Sequence, residues 1–303
     1  MNAWLDAFVP VFGLLALGAL LKAKLLRDDT VWAGIERLIY WVLLPCLIVN
    51  ALSAVNLGGL PVGGMAVTFW VALTLGAGLS VLLSRALGQP HTAMTSILQG
   101  GIRFNNLMGF AIGGAIWGQP GLALAAVATG LIVPGVQVIV TLGFLIGGEK
   151  RVRPLAMLRQ LALNPLLLGC VIGFAVGALG GLPAGLAPTV RSLGQATVAL
   201  GLLCVGAALT PRGLGDRIGV QAATAVLKLV GMPAITWAIG AAMGLEALPL
   251  TIAVLFMALP TAATAYVMSR AMGGDAPLMA AITTSEHVVS VLTLPVWLWL
   301  LTR

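Results

Sequence analysis

Apolar residues run along this chain in blocks of about twenty, parted by short breaks rich in glycine and proline. A helix of about twenty residues rises about 30 Å, the thickness of a bilayer's hydrocarbon core. Dividing the sequence at its turn chemistry predicts ten helical spans, at 4–24, 32–54, 62–87, 91–117, 120–146, 164–181, 188–210, 218–243, 248–271 and 277–301. The breaks read "NLGGLPVGG", "WGQPG" and "GGLPAGLAP", whose residues end helices. Only "GGEKRVRPLAMLRQLAL" is longer, and it falls at the midpoint.

Composition turns that pattern into a class. The chain has 303 residues, 60% hydrophobic and 8% charged, where soluble proteins keep about a quarter charged. The expected fold is therefore an all-α integral membrane protein with no soluble domain. The net charge of +7 does not point to nucleic acid, because no basic face interleaves with aromatics. The loops after spans 1, 3, 5, 7 and 9 hold Lys22, Lys24, Arg27, Arg85, Lys150, Arg151, Arg153, Arg159, Arg212, Arg217 and Arg270, and the opposite side holds Arg191 and Arg303. Positive loops face the cytoplasm, so both termini are expected outside it, in the cell membrane. Asp6 precedes the first apolar run and Lys22, Lys24 and Arg27 follow it, the reverse of a cleaved signal. Cys46, Cys170 and Cys204 lie within apolar runs without metal-ligand spacing and read as packing residues.

The midpoint loop, 148–163, divides the chain into 1–147 and 164–303, with five spans each. A shift of about 156 residues aligns "LPCLIVNALS" with "LLCVGAALT" and "WGQPGLALAA" with "GGDAPLMAAI". An odd number of spans per half places the halves in opposite orientations, the inverted repeat of secondary transporters. The same shift brings Phe104-Asn105-Asn106 onto Pro260-Thr261-Ala262.

Those two aligned stretches are the polar anomalies of the chain. Pro260 lacks an amide donor and disfavours helical geometry at Leu259. Gly100 and Gly101 precede Arg103, Asn105 and Asn106 in "QGGIRFNNLMGFAIGG". Irregular backbone at membrane depth is tolerated only when buried in protein or lining a wet cavity. Where a helix restarts, its amides and positive dipole end suit an anion. Arg103, Asn105, Asn106, Pro260 and Thr261 are the candidate substrate-binding residues. Arg103 can grip a carboxylate with its planar fork, or pair with Glu286 in a fixed ion pair; both readings stand. Glu286, His287 and Lys228 are the candidates for coupling to an ion, each with an ordinary packing or snorkelling role as the alternative.

The order and spacing of several stretches resemble the auxin efflux carrier family. They are "FVPVFGLLALGALLKAKLL", "RFNNLMGFAIGGAIWGQPGLALAA", "NPLLLGCVIGFAVGAL", "LGQATVALGLLCVGAAL", "LPTAATAYVMSRAMGGDAPLMAAI" and "LTLPVW". The likeness covers essentially the whole chain and points to the bacterial branch of malonate- and malate-type permeases. It implies a fold akin to bile acid sodium symporters, with discontinuous helices 4 and 9 crossing near the midplane. Spans 1, 2, 6 and 7 would be a scaffold and the others an elevator domain; a homodimer is also implied. Two departures stand out: Phe104 replaces the proline that plant members carry before the asparagine, and their long hydrophilic central loop is lacking.

The function expected is secondary transport of small organic anions, carboxylates above all, with elevator-type alternating access implied by the resemblance. A passive anion channel, or a sodium-coupled symporter of the bile-acid type, is the alternative. A membrane enzyme built on Ser285, Glu286 and His287 is the weakest reading, since adjacency in sequence is not triad geometry. No cofactor, metal or nucleic acid is expected; the partners are the anion and the bilayer, with proton or sodium coupling open.

Overall fold

The computed structural model of the chain describes residues 2–54, 61–146, 158–159, 161–211 and 213–302, and these are helical apart from their turns. The central loop expected at 148–163, and with it Lys150, Arg151 and Arg153, lies largely outside the described residues. Helices fill each predicted span. They are α1 (Asn2–Lys24), α2 (Asp29–Leu38), α3 (Leu44–Ser53), α4 (Val62–Ala86), α5 (His91–Ile102), α6 (Asn106–Leu145) and α7 (Pro165–Ala178). The series continues with α8 (Ala187–Ala208), α9 (Ile218–Val226), α10 (Met232–Ala242), α11 (Ala247–Ala258), α12 (Thr264–Met272) and α13 (Ala276–Leu301). Among the described residues seven stretches are long and apolar enough to cross a membrane, and Pro165–Ala178 and Ala247–Ala258 are apolar but shorter. The chain is a multi-pass membrane protein.

Local chemistry accounts for the interruptions. Predicted spans 2 and 8 each contain a π-helical turn, at Ile39–Leu43 and Leu227–Gly231. Each turn runs into a proline, Pro45 or Pro233, that cannot donate to the carbonyl four residues back. The Leu229 carbonyl left without its helical donor takes the Trp297 indole N–H instead, at 2.8 Å. Within α6, Gly118 has φ 58° and ψ −137°, so the helix turns sharply there, at the predicted boundary between spans 4 and 5. Only glycine reaches that conformation without strain.

On α13 the two faces part cleanly. Ile282, Glu286, Ser290, Leu294 and Leu298 recur every four residues and are buried, whereas Val288, Leu292 and Val296 form an exposed apolar stripe. Such a stripe suits lipid, and the inward stripe carries the polar chemistry.

The chain divides into two compact units. The first comprises residues 1–62, 106–130 and 154–208. Within it, a Cβ at Gly18 would strike the Leu203 carbonyl and one at Gly206 the Leu15 carbonyl, so small residues let α1 and α8 touch backbone to backbone. The second comprises residues 63–105, 131–153 and 209–303. Spans 1, 2, 6 and 7 thus share a unit with residues 106–130. The ties are specific: Gln119 Nε2 donates to the Asn50 and Ala51 carbonyls, each at 3.3 Å. In the same unit Cys170 Sγ lies 3.6 Å from the Ala126 carbonyl, and Leu107 packs where a Cβ at Gly201 would be.

Candidate functional site

Both predicted breaks are present, and the polar groups around them lie in the second unit. The α5 helix ends at Ile102, and Arg103 is extended at φ −76°, ψ 162°. The α11 helix ends at Ala258, and Leu259 is extended at φ −64°, ψ 142°, the geometry that Pro260 imposes on its predecessor. Gly100 and Gly101 let neighbours come close to the end of α5. A Cβ at Gly100 would lie 2.7 Å from Thr224 Cγ2, 2.8 Å from Ile282 Cγ2 and 3.3 Å from Glu286 Oε1. At Gly101 it would strike Ser80 Oγ.

A chain of hydrogen bonds joins the two breaks through Gln99, which is fully buried. Arg103 Nη1 donates to Gln99 Oε1 at 2.9 Å and lies 3.2 Å from Met268 Sδ. A guanidinium only donates, so it fixes the amide: Oε1 faces Arg103 and Nε2 donates to Ser269 Oγ at 2.8 Å. Thr261 Oγ1 donates to the Gln99 carbonyl at 3.3 Å. Thus α5 is tied to α12 on one side of the break and to Thr261 within it. Phe104, packed on Phe256 with ring centroids 5.7 Å apart, closes the apolar side. Arg103 itself remains half-buried, its head anchored in protein rather than sunk in lipid.

The two adjacent asparagines part company. Asn105 is buried and its Nδ2 meets His287 Nε2 at 3.2 Å. His287 Nδ1 lies 2.7 Å from the Thr283 carbonyl, which can only accept, so Nδ1 carries the proton. Nε2 then accepts from Asn105, and the ring is the neutral Nδ1–H tautomer. Asn106 belongs to the first unit, where its Oδ1 accepts from Thr129 Oγ1 at 3.1 Å.

Glu286 is placed differently from either sequence reading. Its Oε2 accepts the Thr261 backbone N–H at 2.8 Å, so a carboxylate of the protein sits at the break that precedes α12. Glu286 and Arg103 do not form an ion pair; the ion pairs among the described residues are Lys22–Asp29 and Arg217–Asp275. Lys228, in the π turn, does not snorkel: it is fully buried, and its Nζ has no hydrogen-bond partner among the described residues. Glu286 Oε1 likewise has none among them. Glu286 and Lys228 form no direct ion pair, although the π turn packs against α13.

Of the sequence candidates, the structure groups Arg103, Asn105, Thr261, Glu286, His287 and Lys228 in one unit, with the buried Pro260 at the break. Gln99, Ser269 and Thr283 are additions, and the four-residue spacing of Gln99 and Arg103 is the signal that could have found the first. Ser285, Glu286 and His287 do not bond one another: Ser285 Oγ donates to the Ile282 carbonyl, and the other two have the partners above. Among the described residues no group of three or more His, Cys, Asp or Glu is placed to hold a metal ion. The thiols of Cys46, Cys170 and Cys204 are free, the last two buried.

What the arrangement offers is a backbone break on each of two helices, joined by buried polar bonds and flanked by one half-buried cation. Residues 149–298 match the family described as "Membrane transport protein". The chain is also 24% identical over 296 residues to an "Uncharacterized transporter" of Methanothermobacter thermautotrophicus, a match covering 96% of each protein.

Proposed function

We propose that the chain, whose residues 149–298 match the membrane transport protein family, is a secondary transporter of small organic anions, chiefly carboxylates, working by elevator-type alternating access. One observation carries the reading: Arg103 stands at the end of a broken helix, bonded through Gln99 to the partner element of a second broken helix. A guanidinium held this way keeps its fork pre-organised, and a carboxylate can take two donors from it. The Thr261 amide at the second break is a further donor, which Glu286 Oε2 accepts in this structure. In this reading the halves 1–147 and 164–303 are inverted repeats, and the unit holding the breaks is the one that travels.

The test is binding by full-length protein in detergent, measured across acetate, malonate, malate and benzoate with wild type, Arg103→Ala and Arg103→Lys. Losing a charge-assisted hydrogen bond removes about 1.5–3 kcal/mol, or roughly ten- to hundredfold in Kd. Arg103→Lys restores part of the affinity, since it keeps the charge and loses the fork. Unchanged affinity in a folded Arg103→Ala protein overturns the site.

A further inference from the structure

Glu286 occupies the kind of position that an anionic substrate would seek. Its carboxylate accepts the amide of Thr261 at 2.8 Å, in the break that leads into the nine residues of Thr264–Met272. It is fully buried, and only one of its two oxygens has a hydrogen-bond partner among the described residues. Lys228 is the complementary oddity, a fully buried amino group whose Nζ meets no acceptor among the described residues. Leaving a buried charge without hydrogen bonds is costly, and two such groups of opposite sign in one unit call for a joint explanation.

We propose that Glu286 is an internal stand-in for the substrate's carboxylate, holding the Thr261 amide in the empty carrier and turning to Lys228 when an acid takes its place. The inference rests on the transport reading above and adds to it the residue that competes with substrate and the residue that receives it. No bond is made or broken and no proton is moved, so the charge within the protein is the same before and after the exchange. The carboxylate leaves one donor for another, which keeps the cost of displacement small. Gly100 supports the swing: a side chain there would stand 3.3 Å from Oε1, so glycine leaves room beside the oxygen.

The neighbouring charged and titratable groups fit this assignment. Arg103, at the end of α5, is held by Gln99 and forms no ion pair with Glu286. His287 is engaged on both ring nitrogens, with Thr283 and Asn105, and offers Glu286 no bond. The α11 helix, Ala247–Ala258, carries no ionisable side chain.

The experiment measures Kd for acetate and malonate with full-length wild type, Glu286→Gln, Lys228→Met and the double variant, alongside each protein's unfolding temperature. Glu286→Gln removes the charged competitor and should tighten binding about tenfold, the worth of a weak charge-assisted bond. Lys228→Met takes away the second dock and should weaken binding by at least about tenfold. Adding Glu286→Gln to Lys228→Met should restore the affinity of Glu286→Gln alone, because there is no longer a carboxylate to rehouse. Structural damage at Lys228 would not be reversed in that way. If Glu286→Gln weakens binding while folded, or the double variant stays as weak as Lys228→Met, the stand-in role is wrong though the transporter reading survives. Should no acid in the panel bind wild type, both readings fall.

Discussion

Gln99→Ala is the perturbation that most directly probes how the two breaks are held together. The substitution deletes the acceptor of Arg103 Nη1 and the donor to Ser269 Oγ, at 2.9 and 2.8 Å. Interhelical hydrogen bonds in membrane proteins contribute about 0.6 kcal/mol on average and about 1.7 at most. Two of them, one charge-assisted, place the loss at about 1–3 kcal/mol. Ser269→Ala deletes only the weaker bond and should cost about 0.6 kcal/mol. Unfolding of the purified protein in detergent, for both single variants and the double, gives the coupling energy. If the bond is real, the double variant falls short of the sum by about 0.6 kcal/mol, the whole cost of Ser269→Ala alone. Gln99→Glu separates stability from binding. Its carboxylate still accepts from Arg103 and from the Ser269 hydroxyl, so the fold persists, but the guanidinium is neutralised and acetate affinity should drop below that of Gln99→Ala. Additive single effects, together with wild-type acetate affinity in Gln99→Glu, would refute the reasoning.

Three further outcomes are expected. Pro260→Ala lets α11 run on past Leu259, so transport in vesicles should fall sharply while expression stays normal; wild-type flux would make the break a packing kink. Gly101→Ala drives a methyl into Ser80 Oγ and should cost about 1–3 kcal/mol in unfolding experiments, and Ser80→Ala in the same protein should recover most of it. A reporter active only in the cytoplasm should work when inserted within 148–160 and stay silent after Arg303; the opposite pattern would reverse the topology.

The helices and their breaks were legible because they rest on local rules. Pro260 fixes Leu259 whatever surrounds it, and the Gly118 turn lies in "WGQPG", which reads as a boundary by itself. The π turn at Lys228 was not foreseen, although Pro233 two residues after it was in plain view. Partner choice was the part that sequence could not supply. Arg103 and Glu286 were natural partners by charge, yet Arg103 turns to a residue one turn back on its own helix, and Glu286 turns to a backbone amide that no side-chain inventory counts. Asn105 and Asn106 look interchangeable in sequence. They point to different neighbours because they straddle the last extended residue and the first helical one, where side chains diverge by about 100° or more.

Trans-stimulated exchange tests the central claim most directly. Proteoliposomes holding wild-type protein, loaded with unlabelled malonate or with buffer alone, are diluted into labelled malonate, and an Arg103→Ala preparation serves beside them. A carrier with alternating access gives saturable uptake that internal malonate accelerates, and Arg103→Ala abolishes the acceleration. Uptake that rises linearly with concentration and ignores the internal acid would contradict the account and leave a passive pore.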